Sequence, residues 1–327
     1  MMLKSNIETA LIIVTYNSEK DIQRCIESIY MHVKNISQTE IIVVDNNSSD
    51  ATLQILENIK YKFDNLSVIQ LEENIGFGRA NNIGFQAVNA DFYVLLNADA
   101  WLIGDSIMPA LNAMRSNNNV VICGLPLVFP DGSPQTSSHF YSAWTRWALK
   151  LLGVRLFIMW LFKIKVMRKF LVKLPMGGEF IKTQLQPKFD IDNLNTQIIS
   201  NNIRDVDWVC GAAMVLQGNF VREVGGFDPK IFLYGEDEDL CITACRMAKR
   251  VSTIDTMPVV HMLGWGGGRF NRKVADFKYV SLGYFINKNI HSYLDRFLMT
   301  LLLPVYVYGW RRFFYIFWVK NDSSKKN

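Results

Sequence analysis

The stretch LIIVTYNSEKDIQRCIESI, residues 11–29, decides the fold. Ala10–Val14 is a short apolar, largely β-branched run, too short for a helix and right for a strand buried on both faces. Four polar residues follow, Thr15 to Ser18. Then Ile22, Cys25, Ile26 and Ile29 fall at i, i+3, i+4 and i+7, the apolar stripe of one helical face. Ser18 is placed to cap that helix, with Asp21 at its third position. A buried strand leading within a few residues into an amphipathic helix is the start of a βαβ unit.

Working outward, the same rhythm repeats. Ile41–Val44 reads as a second buried strand, and Asn46–Asp50 as a turn that caps the next helix. Val68–Leu71 and Phe92–Leu96 read as strands with a helix from about Gly78 to Val88 between them, and Val120–Cys123 as one more. These elements predict an α/β fold with a mostly parallel sheet and flanking helices. After Leu125 the regularity stops. Phe129–Pro134 is a loop, 175–205 is polar and irregular, a strand pair is expected around Val206–Leu216, a helix starts near Glu236, and the chain turns aromatic and apolar from Phe277. The organisation expected is 1–125 as a ligand-binding half, 126–270 as a second half, and 271–327 as a helical C-terminal region.

The chain has 327 residues, half of them hydrophobic and a fifth charged, which excludes a disordered chain and a collagen-like one. Five cysteines, at 25, 123, 210, 241 and 245, suit free thiols in a reducing compartment, and no disulfide framework is expected. The N-terminus lacks the order of a signal peptide, so a cytosolic setting is expected. Net charge is +5, yet residues 141–174 hold Arg146, Lys150, Arg155, Lys163, Lys165, Arg168, Lys169 and Lys173 and no acid, so the rest of the chain is net acidic. In that segment Trp144, Trp147, Trp160, Phe157 and Phe162 interleave with the cations, the composition of a helix lying in a membrane interface. Packing against the rest of the chain, or against a second copy in a homodimer, is the other use of such a stretch. Nothing else in the chain points to nucleic acid.

Open α/β sheets bind ligands beyond the C-terminal ends of their strands. Thr15-Tyr16-Asn17, Asp45 and Asn97-Ala98-Asp99 all stand at such ends and imply one shared cleft. Asp45 fits a helix-capping turn as well as a ligand contact. Asn74–Gly84, NIGFGRANNIG, opens a helix with glycines whose N–H groups suit a phosphate. It lacks the third glycine of a dinucleotide fingerprint and follows a later strand, which disfavours hydride transfer. Asp99 suits a hard divalent cation completed by diphosphate oxygens, or an ordinary strand-end turn. The run Gly235-Glu236-Asp237-Glu238-Asp239 lies beside Phe232, Leu233, Tyr234 and Leu240, so its carboxyls should hold protons more tightly, as a general base for a hydroxyl must; a helix N-terminal turn has the same composition. His261 precedes a glycine-rich loop, and lone histidines are more often structural. Cys241 and Cys245 read as packing.

Six motifs in order, LIIVTYNSE (11–19), VVDNNSSD (43–50), NIGFGRANNIG (74–84), LLNADA (95–100), DWVCGAAMV (207–215) and GGFDPKIFLYGEDEDL (225–240), resemble those of the GT-A glycosyltransferases of family 2, more closely a bacterial rhamnosyltransferase-like branch. The resemblance implies a nucleotide side made by Thr15, Tyr16, Asn17, Asp45, Gly76, Arg79 and Asn97, with Asp45 reading a uracil or thymine imide. It implies Asp99 and His261 as ligands of Mg²⁺ or Mn²⁺, Asn97 standing where the family usually has Asp. Asp237 is implied as the base of an inverting displacement, with Glu236 and Asp239 positioning the acceptor or capping the helix. Gly211 and Ala212 are implied to lie beneath the transferred sugar, with Trp208 as a stacking face. The expected reaction moves a sugar, rhamnose from dTDP-rhamnose being favoured over a UDP-hexose or UDP-N-acetylhexosamine, onto a lipid-linked glycan acceptor. That places the enzyme peripherally, on the cytoplasmic face of the membrane, in surface polysaccharide synthesis. A non-catalytic nucleotide- or glycan-binding subunit is the alternative of another class.

Overall fold

The computed structural model describes residues 7–139, 189, 191, 200–262 and 272–309. The expected basic amphipathic segment 141–174 and the glycine-rich loop after His261 lie outside the described residues.

Eight strands form the main sheet. β1 (Ile7–Thr15), β2 (Thr39–Asp45), β3 (Leu66–Gln70) and β4 (Ala90–Leu96) run parallel in the order β3-β2-β1-β4, and β6 (Val120–Gly124) lies further along. β12 (Ala213–Gln217) sits between β4 and β6, antiparallel to both, and β13 (Arg250–Ile254) and β10 (Ile203–Asp205) complete the far edge. Alternate residues of β1 explain the two layers. Leu11 and Ile13 face α1 (Ile22–His32), α2 (Thr52–Lys60) and α4 (Ile107–Ser116), while Ala10 and Ile12 face α3 (Phe77–Ala87), α5 (Gly218–Val224) and α6 (Glu236–Arg246). Both faces are sealed, which is why these strands read as unbroken apolar runs.

A smaller sheet of four strands stands beside the first: β5 (Ala100–Leu102), β14 (Val259–His261), β7 (Leu127–Val128) and β8 (Pro134–Gln135). A two-stranded pairing joins β9 (Ser138–His139) to β11 (Trp208–Val209). The C-terminal helices α7 (Arg272–Asn289) and α8 (Tyr293–Pro304) bury Ile231 between Phe285, Ile286, Met299 and Leu303.

Two local expectations are corrected. The strand pair around Val206–Leu216 is not a pair: β11 joins β9, and β12 enters the main sheet. Ser18 does not cap α1, whose N-cap is Asp21. The Ser18 carbonyl instead accepts from the N–H groups of Asp21 and Ile22 in a preceding turn, and its own N–H donates to Thr52 Oγ1, tying it to α2. The five cysteines are free thiols, with Cys241 buried and Cys245 exposed. Among the described residues no helix is long and apolar enough to cross a membrane.

Candidate active site

The parallel strands bring three polar ends to one edge. Thr15 is in register with Asp45, and Ile12 with Leu95, so Thr15, Asp45 and the Asn97-Ala98-Asp99 turn leave the sheet side by side. Because β12 runs the other way, its beginning lies at the same edge, with Ala213 opposite Leu96. Residues 210–212 therefore bridge two groups distant in sequence. The N–H of Asn97 donates to the Ala212 carbonyl at 2.9 Å, and the N–H of Gly211 donates to Asp237 Oδ2 at 3.0 Å. Burial first, then the charges of Asp237, Glu236 and Asp99, push the Cys210 thiol up to about 12. Asp237 thus touches this turn directly, and Glu236 and Asp99 lie near enough for their charges to act on Cys210.

Asp237 belongs to the first turn of α6. The chain enters that turn with positive φ at Tyr234 (72°) and Gly235 (102°), and Asp237 Oδ1 also accepts from the Glu238 N–H at 2.8 Å. Glu236 beside it is buried, and its Oε2 has no hydrogen-bond partner among the described residues. Burial, and next the charge of Asp237, raise its carboxyl to about 8. One proton is thus retained on Glu236 at neutral pH beside an anchored Asp237.

On the other side of the turn, His261 Nε2 stands 3.3 Å from Asp99 Oδ1 and 3.4 Å from Asn97 Nδ2. The small sheet holds this geometry: His261 is in register with Ala100, and the Met262 N–H donates to the Asp99 carbonyl at 3.1 Å. Asn97 Oδ1 is buried without a hydrogen-bond partner among the described residues. An imidazole nitrogen and a carboxylate oxygen 3.3 Å apart are a donor pair that suits Mg²⁺ or Mn²⁺ if substrate oxygens complete the shell. Asp21, at the N-cap of α1, is raised by burial and then by Asp99, which places a further acid close by.

The other expected residues are placed as follows. Asp45 is fully buried, and both its oxygens are taken by Ser48, from the N–H at 2.9 Å and from Oγ at 2.5 Å. Each oxygen keeps a further lone pair, but because Asp45 is fully buried a base imide reaches it only if the neighbouring loop shifts. Thr15 is buried with its hydroxyl unpartnered among the described residues, Tyr16 is half exposed, and Asn17 uses its Oδ1 to accept from the Ser49 N–H, pinning loop 15–19 to loop 46–50. Gly76 is obligatory, since at φ 90° a Cβ would lie 2.4 Å from the Phe232 carbonyl oxygen. Its N–H, however, donates to Asn74 Oδ1 and that of Phe77 to the Phe232 carbonyl, so both are used within the protein and neither is turned to a phosphate. Arg79 is exposed on α3. Trp208 presents one ring face to His139, stacked at 4.1 Å. Asp239 departs from expectation: its carboxylate meets Lys288 Nζ at 2.8 Å and Asn289 Nδ2 at 2.7 Å, tying α6 to α7 instead of facing the acceptor side.

Residues that sequence reasoning passed over are Asn46, whose side chain clamps Ile75 and Gly76, Asp21, and Gln135 against His261. Asn46 lay within a quoted motif. Gln135 gave no signal, because its strand is two residues long and exists only through its partners.

A mostly parallel α/β sheet with acids and a histidine gathered at its strand ends, beside a small second sheet, is the GT-A architecture. The chain belongs to glycosyl transferase family 2, whose family model matches residues 10–175. Over 129 residues it is 30% identical to the poly(ribitol-phosphate) beta-N-acetylglucosaminyltransferase TarS of Staphylococcus aureus (strain Mu50), covering 39% of this chain and 22% of TarS. The chain thus spans well under half the length of that relative. The crystal structure of S. aureus TarS 1–349 in complex with UDP superposes with a TM-score of 0.53 at 16% identity, covering 98% of this chain and 75% of that one. The mannosyltransferase PcManGT from Pyrobaculum calidifontis, in complex with GDP-Man and Mn²⁺, gives a TM-score of 0.54 at 14% identity, covering 99% and 77%. These two structures share the fold.

Proposed function

We propose that this chain transfers a sugar from a nucleoside diphosphate donor to an acceptor hydroxyl with inversion. The observation that carries the reading is the bridge 210–212, which holds the Asp99–His261 pair and the Glu236–Asp237 pair to one rim. Asp237 takes the proton of the acceptor hydroxyl as that oxygen bonds to the anomeric carbon. The bond from that carbon to the diphosphate oxygen breaks, and the nucleoside diphosphate leaves with the electron pair. The two backbone N–H groups on Asp237 fix its direction of attack, and Glu236, keeping its proton, adds no second negative charge beside the base. Asp99 and His261 would hold Mg²⁺ or Mn²⁺, which supplies positive charge to the departing diphosphate.

The rhamnosyltransferase-like motifs favour dTDP-rhamnose, whereas the UDP complex of TarS supports a UDP-hexose or UDP-N-acetylhexosamine. We take a pyrimidine nucleoside diphosphate sugar as the donor class. For the acceptor we propose a lipid-linked glycan at the cytoplasmic membrane face. α8 supports this reading: Met299 and Leu303 are buried on one face, while Leu294, Phe297 and Leu301 on the other are each more than half exposed. A helix apolar on both faces, at the surface of a globular chain, suits monotopic contact with lipid.

A thermal-shift panel of UDP, dTDP and GDP and their sugars, with and without Mn²⁺, tests the function. Saturation at 100 Kd adds about 2.7 kcal/mol of stability. One sugar nucleotide should raise Tm, more so with Mn²⁺. No stabilisation by any of them, followed by no transfer, overturns the proposal.

A further inference from the structure

The small sheet presents a third polar residue to the cation side of the site. Gln135 of β8 pairs with Leu127, Leu127 with Val259, and His261 lies two residues on from Val259, so the three strands present Gln135 and His261 on one face. Gln135 is 8% exposed and His261 4%. Gln135 Oε1 is 2.7 Å from His261 Nδ1. A carbonyl oxygen only accepts, so Nδ1 carries the hydrogen of the neutral ring. The Asn97 amide nitrogen, a donor, faces Nε2, which agrees with a lone pair there. Yet Asp99 Oδ1 lies 3.3 Å from that same nitrogen. Two electron-rich atoms held this close by two sheets are mutually repulsive until a cation or proton lies between them.

We propose that Gln135 is a positioning residue that fixes His261 as its Nδ1–H tautomer, so that Nε2 offers its lone pair, beside Asp99, to a divalent cation. The inference rests on the reading of Asp99 and His261 as cation ligands. A partner on the far nitrogen of a ligating histidine sets ring orientation and basicity, and removing it typically costs 10–100-fold in metal affinity. With Gln135 absent, the strong acceptor left beside the ring among the described residues is Asp99, and the hydrogen moves to Nε2, the nitrogen the metal requires bare.

Two measurements on the full chain test this. The first is a long-range ¹H–¹⁵N spectrum of the neutral imidazoles; there are four histidines, and His261→Ala identifies the signal. The expected result is Nδ1–H in the parent and in Gln135→Glu, and Nε2–H in Gln135→Leu. The second is Mn²⁺ titration with UDP present, read by the electron paramagnetic resonance of free Mn²⁺. Gln135→Leu should weaken binding by about 10–100-fold, and Gln135→Glu should match or exceed the parent. A purely packing role for Gln135 would change stability and leave the ring spectrum alone. An Nε2–H ring in the parent, or an unchanged tautomer in Gln135→Leu, overturns the positioning role. If His261→Ala binds Mn²⁺ as well as the parent, the ligand assignment itself has failed, and the role of Gln135 toward the cation falls with it.

Discussion

Replacing Glu236 with Gln should stabilise the protein, increasingly so as pH rises. In the folded chain the Glu236 carboxyl holds its proton up to about 8, against an ordinary 4.5, first because it is buried and then because Asp237 is adjacent. The unfolded chain releases that proton above 4.5. Stability is therefore complete below 4.5 and declines as pH climbs toward 8, at up to about 1.4 kcal/mol per pH unit, flattening above. At pH 7 the accumulated cost is on the order of 3 kcal/mol. A carboxamide has the shape of the protonated acid and no charge to desolvate at any pH, so Glu236→Gln escapes the decline. Urea unfolding of both proteins at unit steps from pH 5 to pH 9 gives the comparison directly. The curves should nearly meet at pH 5 and diverge by a few kcal/mol at pH 8. Stabilities that run parallel from pH 5 to pH 8 would show that Glu236 does not retain its proton, and the charge arrangement around Asp237 would have to be redrawn.

Asp237→Asn should lower the transfer rate by about 10²–10⁴ while sugar nucleotide binding, read by calorimetry, is kept; unchanged turnover removes Asp237 as the base. Lys288→Met leaves the buried Asp239 carboxylate without its cation and should cost about 3 kcal/mol in urea unfolding, whereas an effect below ~0.5 kcal/mol would mean that the ion pair adds little to the tie between α6 and α7. Gly84→Ala drives a Cβ to 2.5 Å from Ile12 Cγ2 beneath α3 and should cost about 1–3 kcal/mol, checked by the same assay. Leu301→Glu should reduce co-sedimentation with anionic vesicles and leave Tm unchanged, because the side chain packs outward; equal sedimentation of both proteins counts against lipid contact by α8.

What the sequence disclosed follows from how each element is stabilised. β1, β2, β4 and β6 were legible because burial on both faces demands continuous apolar residues, and α1 because its stripe packs on one layer. β13, with Ser252 and Thr253 in its centre, carries no such run: Thr253 Oγ1 donates to the Gly124 carbonyl and Ser252 Oγ to Asp205, so its polar residues are satisfied by neighbours that no local pattern announces. The acidic run was legible as a place, since four acids in one helical turn are rare, but the division of labour within it was not. Asp237 and Asp239 are two residues apart on α6 and so point to different sides, one to Gly211 and the other to Lys288. The pairing of Asp99 with His261 depends on a sheet register that joins Ala100 to His261, 161 residues apart in the chain, and that the two act together was implied only by the family likeness.

The antiparallel strand β12 has a bearing on how the molecule is made. A nascent chain that has emerged only as far as residue 125 carries β4 and β6 but nothing to join them, leaving the hydrogen-bonding edges of Val94 and Ile122 bare. Such raw edges invite pairing with other chains. The ribosome must deliver some ninety residues more before the gap is bridged, and that same late arrival carries Gly211 and Ala212 into place. The main sheet's gap thus closes before Asp237 and His261 have been made, so translation products cut short in that interval should be clients of chaperones or proteases and carry no complete site.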